Sequence, residues 1–421
     1  MKKFFLYFFI EIVLLIAVAF SLPDYGWISG FACVIVIFVI IRFTFFSGVY
    51  VLDPKFKSDF FFAAFFTKML MSAIRIYVGV KFYHGAMDAF AYYDNGRYIA
   101  EQFRTSGFNF LSDTPIVSTK AIEYIVGVLY YFLPLSFSSF CFIFAALAFI
   151  GSIFFYKAFC IWYDDRSSDF YKKVVFFLPS ILYWPSCLGK DALIFFASGI
   201  ATYGIVKFFK NLTFFGLVQF IIGLSIISII RPHIAGFMVI AVAIASVFSY
   251  SRFKNLNKFL QLIIRVPVIF FLSFTIINQA KAFLTSGRIG MSEFTPEAIL
   301  DWIRATRLKL QGKSKFIPVF AATLLGPLYA IVTLVARPFI WEAGNLQTIL
   351  AALECLFCIF IFYKRRKVIY DRFFNFKEDA FSTFAFCYVF IAALSFTVFT
   401  NMGILARQRT TVLPFLWLLF A

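Results

Sequence analysis

The fold class of this chain is decided by long apolar runs such as FSSFCFIFAALAFIGSIFFYKAFCIW, residues 137–162. A helix of roughly 20 residues is enough to cross the ~30 Å hydrocarbon core of a bilayer. Similar runs recur along all 421 residues, of which 62% are hydrophobic and 14% are charged. A soluble domain carries about 25% charged residues. The sequence therefore predicts an all-α, polytopic transmembrane protein.

Working outward from this run, we count about 11–14 predicted spans, because several runs are close to the minimum crossing length. Pro185, Pro327 and Pro414 interrupt or shorten apolar runs. A membrane tolerates such breaks only where protein or water satisfies the freed backbone groups. We find no internal repeat and no soluble domain, so residues 1–421 are expected to form a single integral membrane domain. Its longest polar stretches are residues 81–118 and 279–315.

The net charge of +18 is dispersed over the connections between apolar runs. This distribution argues against a nucleic acid partner and follows the positive-inside rule. The basic clusters, predicted to face the cytoplasm, lie at residues 1–3, 55–57, 171–173, 207–210, 251–258 and 363–367. The connections predicted to face outward are 189–191, 231–233, 337–345 and 401–409. This order predicts a multi-pass protein of the bacterial inner membrane, with the first apolar segment retained as a helix.

The predicted topology has a parity conflict in two regions, residues 119–163 and 316–336. In each, the number of apolar runs does not match the number of crossings that the flanking loops require. Either one segment in each region is re-entrant or one loop is assigned to the wrong side. Gly326-Pro327, in the middle of the second region, favours a re-entrant hairpin there.

The seven cysteines lie mostly inside apolar runs and have no spacing typical of a zinc site. We interpret them as small core residues.

A first candidate site is the segment MDAFAYYDNGRYIAEQFRTSGF, residues 87–108. Its spacing predicts an amphipathic helix with one aromatic and apolar face. The other face carries Asp88, Asp94, Arg97 and Glu101. One interpretation is an interfacial helix with solvated charges. The other is that a carboxylate acts as general base on an acceptor hydroxyl or as a metal ligand. The residues establish no cofactor and leave a divalent metal open.

The spacing of Asp88, Tyr92 and Gly96, in a large external loop before an amphipathic helix, resembles the GT-C superfamily of membrane glycosyltransferases. The resemblance covers residues 87–108 and the general topology. It implies a GT-C-like fold and a sugar donor carried on a polyprenyl phosphate or pyrophosphate. It also implies that an acidic residue of this loop activates the acceptor or binds metal. The matching positions are Asp88 and, less closely, Asp94.

Cations at predicted outer helix ends form the second group of candidates, because the positive-inside rule predicts few of them there. Arginine matches phosphate oxygens with a planar fork, and histidine titrates near neutral pH. The structural alternative at each position is a side chain that anchors the helix or extends its charge to the headgroup region without binding a substrate. The candidate substrate-binding residues are Arg97, Lys190, Asp191, Arg231, His233, Arg337, Trp341, Glu342, Arg407 and Arg409. The polar stretch 279–315 adds further basic residues.

The segment NMGILARQRTTVLPFL, residues 401–416, is similar to bacterial polysaccharide glycosyltransferases and O-antigen polymerases of the Wzy type. That resemblance implies that external arginines hold an undecaprenyl pyrophosphate. The arginine-rich loop repeats of that polymerase family are not evident here.

These observations lead to one functional hypothesis. The protein is expected to transfer or polymerise sugar units from an undecaprenyl (pyro)phosphate carrier during assembly of O-antigen, capsule or exopolysaccharide. Its partners would be the polyprenyl-linked glycan and membrane lipid, with other polysaccharide-assembly proteins left open. The alternative is a transporter or flippase of a lipid-linked glycan or another anionic substrate. Three charged residues inside apolar runs support that alternative: Lys68, Arg75 and Glu354.

Overall fold

The computed structural model describes residues 2–107, 116–163, 168–248, 325–375, 379–397, 399 and 401–421. The polar stretch 279–315 lies outside these residues. In the described part of the chain the regular structure is helical, without strands, which confirms the predicted all-α class. The chain folds as two compact units, residues 1–230 and residues 231–421.

The first unit contains ten α-helices among its described residues. They are α1 Lys2–Ser21, α2 Trp27–Tyr50, α3 Ser58–Lys81, α4 Asp88–Ser106, α5 Thr119–Phe132, α6 Phe137–Trp162, α7 Ser168–Phe177, α8 Pro179–Tyr183, α9 Lys190–Asn211 and α10 Phe214–Ile230. The described part of the second unit contains seven. They are α11 Pro232–Phe248, α12 Gly326–Ala336, α13 Leu346–Lys364, α14 Arg366–Phe374, α15 Ala380–Phe396, α16 Met402–Arg409 and α17 Leu413–Phe420.

Helices α2, α3, α6, α9 and α13 are long and apolar enough to cross a membrane. Shorter apolar helices add to these five in both units, at residues 9–21, 214–230, 232–246, 326–336 and 380–396. A chain with this many apolar helices is a polytopic membrane protein, as the apolar runs predict.

Small residues allow the central helices of the first unit to approach closely. A Cβ added to Gly199 of α9 would lie 2.5 Å from the carbonyl oxygen of Gly151 in α6. On the other side of α9, a Cβ on Gly204 would lie 2.6 Å from the carbonyl oxygen of Gly216 in α10. Membrane helices pack through such small-residue contacts because lipid provides no hydrophobic force between them.

The parity conflict at residues 119–163 is resolved by the α4–α5 hairpin. Helix α5 has 14 residues and extends only about 21 Å, too short for the ~30 Å core. It packs along α4, where Gly96 and Gly127 bring the two helices together. The chain then returns to the α1–α2 turn, where the Ser136 hydroxyl donates to the carbonyl oxygen of Gly26 at 3.0 Å. The segment therefore leaves only α6 to cross between the outer loop and the basic loop that follows.

The second parity conflict falls partly on residues 316–324, which the structure does not describe. Helix α12 begins at Gly326, with Pro327 in its first turn, and has 11 residues. At about 16 Å it is also too short to cross the core by itself.

The segment between α7 and α9 is an interrupted helix. Pro179 begins a new short helix, α8, and residues 184–189 are not helical. Two basic side chains of α3 contact the carbonyl groups that this break exposes. The Lys68 ammonium donates to the carbonyl oxygens of Ile181 and Leu182 at 2.8 and 3.1 Å, and Arg75 donates to that of Tyr183 at 3.3 Å. Cations near a helix C-terminus are stabilised by the helix dipole, so both residues have a structural role.

The basic loops of the first unit lie together at one end of its helices. Lys172 contacts Asp53 of the α2–α3 loop at 3.1 Å, and Lys210 donates to the carbonyl oxygen of Ile161 at the end of α6. The Lys190 connection lies at the opposite end, because Lys190 contacts Ser118, which hydrogen-bonds the end of α10. This separation is the arrangement that the positive-inside rule describes.

Candidate functional site

The candidate residues on α4 differ in what surrounds them. Asp88, the first residue of the helix, is exposed, as are Asp94 and Arg97 farther along it. The Arg97 guanidinium lies over the rings of Tyr93 and Tyr130, at 5.8 and 5.7 Å from their centroids. These contacts give Arg97 a packing role. Burial, with a contribution from Tyr130, raises the pKa of the Tyr93 phenol, so this side chain stays neutral at physiological pH.

Helix α9 begins at a junction that we call the Lys190 junction: Tyr92, Ser118, Thr119, Gly189 and Lys190. The Lys190 ammonium donates to the hydroxyls of Ser118 and Thr119 at 3.0 and 2.8 Å. The Ser118 amide donates to the carbonyl oxygen of Ile229 at 2.8 Å. The junction therefore combines a lysine, two hydroxyls and the positive end of the α9 dipole, a combination suited to an anion.

Backbone strain marks the same junction. Ser118 has a φ of 55°, a left-handed conformation that residues other than glycine rarely adopt. Such strain tends to persist where the surrounding structure fixes it, and it concentrates at functional sites. Here the strained residue supplies one of the two hydroxyls that hold Lys190.

Tyr92 connects this junction to Asp88. A Cβ on Gly189 would lie 3.6 Å from the Tyr92 ring, so α4 and the start of α9 are neighbours. Asp88 is four residues before Tyr92 and therefore shares its helix face, whereas Asp94, two residues after Tyr92, does not. This corrects the expectation that Asp88 and Asp94 lie on one face. The geometry therefore favours Asp88 over Asp94. Asp191, in the first turn of α9, is buried and has a position that a helix dipole stabilises.

In the second unit, the arginine candidates gather around the short helix α16. Arg231 donates to the Gln408 side chain of α16 at 2.9 Å. The guanidinium of Arg409 donates to the carbonyl oxygen of Arg337 at 2.8 Å. Helix α16 itself carries Arg407, which is half-buried. The predicted outer cations Arg231, Arg337, Arg407 and Arg409 thus lie on or against one helix, while Lys190 belongs to the first unit.

Arg409 is the most unusual of these residues, because it is only 2% exposed. One of its terminal nitrogens, Nη1, contacts the Arg337 carbonyl oxygen and the Cys355 sulfur, both at 2.8 Å. Its Nε and Nη2 have no hydrogen-bond partner among the residues that the structure describes. A buried arginine stays charged and presents its donors in a fixed fork. Both remaining donors are buried, and the buried Glu354 carboxylate of α13 is close enough to interact with the guanidinium electrostatically.

The Arg337 segment has the ion pair that its sequence suggests. Arg337 Nε donates to both carboxylate oxygens of Glu342, at 3.0 and 3.2 Å. Trp341 is 81% exposed, and its ring stacks on Phe339 at a centroid distance of 4.8 Å. Because Glu342 balances its charge, Arg337 is better suited to anchoring than to binding phosphate. Trp341 presents an aromatic face to the outside of its unit.

His233, in the first turn of α11, is exposed and contacts Phe237 edge to face at 5.8 Å. We see no described residue that would orient it as a general base. Within the described ranges, no cluster of three or more His, Cys, Asp or Glu side chains is placed to hold a metal ion.

Several residues of the site are not among those that the sequence predicts. Ser118 and Thr119 hold Lys190 although they are more than 70 positions away in the chain. Gln408 holds Arg231 across 177 positions. Polar residues of this kind are common in loops, and only the fold brings them to a cation. Only Gln408 has a signal in the sequence, because it lies between Arg407 and Arg409.

Comparison with known proteins gives no relative for this chain. No family model, no curated protein and no solved structure matches it.

Proposed function

We propose that the protein transfers or polymerises sugar or oligosaccharide units from an undecaprenyl (pyro)phosphate carrier. This reaction would serve assembly of a cell-surface polysaccharide at the outer side of the bacterial inner membrane. The observation that carries the proposal is the buried Arg409 guanidinium, with two donors that have no hydrogen-bond partner among the described residues.

An unsatisfied buried guanidinium is costly, because burial removes the water that would otherwise solvate it. Ionisable side chains in membrane proteins are retained mainly where they serve a substrate, an ion or a partner. A phosphate or pyrophosphate group supplies paired oxygens that match two parallel arginine donors. Arg231 and Arg407 add positive charge near α16. Such a group of cations would stabilise the negative charge that develops on a leaving phosphate.

In the first unit, we assign Asp88 to the acceptor. A carboxylate at the start of α4 would take the proton of an acceptor hydroxyl as it attacks the anomeric carbon of the donor sugar. The bond from that carbon to the carrier phosphate oxygen breaks, and the carrier leaves as the (pyro)phosphate. Lys190, with its two hydroxyl contacts, is assigned to an anionic part of the substrate. The resemblance to membrane glycosyltransferases at Asp88, Tyr92 and Gly96 supports the same assignment.

The test is a transfer assay with the full chain in lipid nanodiscs. The donor is a fluorescently labelled glycan on undecaprenyl pyrophosphate, extracted from the host strain, and the products are resolved by gel electrophoresis. We expect a larger labelled glycan and release of undecaprenyl pyrophosphate. Alanine at Asp88 or Arg409 should abolish both products. Donor that stays intact with wild-type protein, over a range of acceptors and divalent metals, would contradict the proposal.

The alternative, a flippase, is favoured by the interrupted helix over residues 168–189, since broken helices are common in transporters. The two functions predict opposite cellular defects. When a transferase loses Asp88 or Arg231, the lipid-linked unit accumulates at the outer face. When a flippase loses the same residues, the unit accumulates at the cytoplasmic face. A membrane-impermeant probe for the glycan, applied to intact spheroplasts, distinguishes them.

A further inference from the structure

Two cysteines of the first unit lie side by side in its interior. Cys141, in the second turn of α6, and Cys187, in the non-helical stretch before α9, have their sulfur atoms 3.1 Å apart. Both are almost completely buried, at 0% and 1% exposure. A disulfide has a sulfur–sulfur distance of roughly 2.05 Å, so the two sulfurs need to move together by only about 1 Å.

The position of the pair in the unit suggests an oxidising environment. Cys187 lies three residues before Lys190, and the start of α6 lies beside the α1–α2 turn through Ser136 and Gly26. Both cysteines are therefore at the end opposite the basic loops around Lys172 and Lys210. Basic loops mark the cytoplasmic side, and disulfides persist on the other side.

We propose that Cys141 and Cys187 form an intramolecular disulfide that ties the stretch before Lys190 to α6. The oxidant is an external disulfide that reacts by thiol–disulfide exchange. One cysteine thiolate attacks it to give a mixed disulfide and one thiol, and the second cysteine then displaces the other thiol. Two cysteine thiols are oxidised, one external disulfide is reduced to two thiols, and no other reactant is required.

The burial of the pair sets the order of events. An external disulfide does not reach sulfur atoms that are 0% and 1% exposed, so exchange precedes packing of residues 184–189 onto α6. For the same reason, a water-soluble reductant will not open the bond in the folded protein. The disulfide would hold the backbone next to Gly189, where α9 begins. The inference is independent of the proposed glycan transfer.

The remaining five cysteines provide internal controls. All seven cysteines are free thiols in this structure, and the five controls are Cys33, Cys160, Cys355, Cys358 and Cys387. Differential alkylation can read all seven positions in one sample. The full chain is solubilised from membranes directly into denaturant containing EDTA and a first alkylating reagent, then reduced, and then treated with an isotopically distinct second reagent. EDTA prevents a bound metal from protecting the sulfurs.

We expect mass spectrometry to find the second label on Cys141 and Cys187 and the first label on the other five cysteines. In Cys141→Ser, Cys187 should change to the first label, while Cys160→Ser should leave the pattern of the pair unchanged. The first label on both Cys141 and Cys187 of the wild-type chain would overturn the proposal. So would a Cys187 peptide linked to any other cysteine, including that of a second chain. The wild-type pattern decides the question even if a serine variant does not accumulate.

Discussion

The ammonium group of Lys68 in α3 lies 2.8 Å from the carbonyl oxygen of Ile181, at the end of the short helix α8. This contact joins two features that look unrelated in the sequence. One is a lysine in the middle of an apolar run, and the other is a helix broken by Pro179 and Pro185. The break exposes carbonyl groups inside the protein, and the lysine satisfies them. The transporter interpretation therefore loses the support that it drew from Lys68.

Replacing Lys68 with methionine should destabilise the first unit, because it leaves the Ile181 and Leu182 carbonyl oxygens without this donor. Leaving buried polar groups unsatisfied costs about 1–3 kcal/mol. The free energy of unfolding, followed by tryptophan fluorescence in mixed micelles, would measure the loss. Lys81→Met, at the exposed end of α3, is the matched control and should have little effect. Equal stability of the two variants would refute this role for Lys68.

A second buried charge, Asp53 of the α2–α3 loop, leads to a similar prediction. Asp53 is 1% exposed and accepts hydrogen bonds from Tyr156 at 2.5 Å and Lys172 at 3.1 Å. Asp53→Asn leaves Lys172 with the largely exposed Asp169, at 2.8 Å, as its ion-pair partner. Breaking a buried pair outright costs roughly 3–5 kcal/mol, so we expect a loss below that range but above about 1 kcal/mol. Asp59→Asn, an exposed aspartate in the first turn of α3, should cost at most about 1 kcal/mol.

A double variant tests whether Asp53 and Lys172 stabilise the protein through their interaction. Asp53→Asn combined with Lys172→Met should be less destabilised than the sum of the single variants, because their interaction is counted twice in that sum. Strict additivity of the two free energies of unfolding would show that the pair does not interact.

The sequence predicted the classes of element well and the partners of single residues poorly. The spacing of residues 87–108 indicates a helix, and α4 occupies Asp88–Ser106 because its buried face repeats at helical intervals. The Arg337–Glu342 pair was also visible, since only five positions separate the two residues. Lys68 and Ile181 are 113 positions apart, and no local pattern links them. Likewise, the return of the chain after α5 depends on the contact of Ser136 with Gly26.

The candidate site shows the same division. The positive-inside rule marks Arg231, Arg337, Arg407 and Arg409 as unusual, and these arginines do lie around α16. It could not separate them, because their differences come from packing. Arg337 is balanced by Glu342, whereas Arg409 is buried with two donors that have no hydrogen-bond partner in the described part of the chain. Burial of an arginine in a segment as polar as 401–409 has no signal in the sequence.

The Arg409 donors lead to a binding prediction. Arg409→Met should weaken binding of undecaprenyl pyrophosphate about 10–100-fold, because hydrogen bonds to a charged group contribute roughly 1.5–3 kcal/mol. Native mass spectrometry or microscale thermophoresis in nanodiscs would measure the Kd. Arg366→Met is the matched control, since Arg366 is exposed at the start of α14. Undecaprenol, which lacks the pyrophosphate, should bind both variants and the wild type alike. If Arg409→Met bound undecaprenyl pyrophosphate as tightly as the wild type, the role of Arg409 in the proposed function would be wrong.

The Lys190 junction predicts a different kinetic effect. Lys190→Met removes the cation, and Ser118→Gly keeps the left-handed backbone while removing one hydroxyl. We expect a rise in KM for the lipid-linked donor that is larger for Lys190→Met, about tenfold or more, consistent with loss of a charged contact. Lys207→Met, at the other end of α9, is the control. An unchanged KM in Lys190→Met would show that the lysine only holds Ser118 and Thr119 in place.

The last prediction separates the two aspartates of α4, which the sequence could not rank. Asp88 shares a helix face with Tyr92, whose ring lies beside Gly189 at the start of α9, whereas Asp94 lies on a different face. If Asp88 is the general base, Asp88→Asn should lower kcat by roughly 10²–10⁴-fold with little change in donor affinity. Asp94→Asn should retain near wild-type turnover, because its carboxylate lies on a different helix face from Tyr92. Transfer rates at saturating donor, with circular dichroism to confirm folding, measure both. A large loss in Asp94→Asn together with a normal rate in Asp88→Asn would reverse the assignment and place the acceptor on the other face of α4.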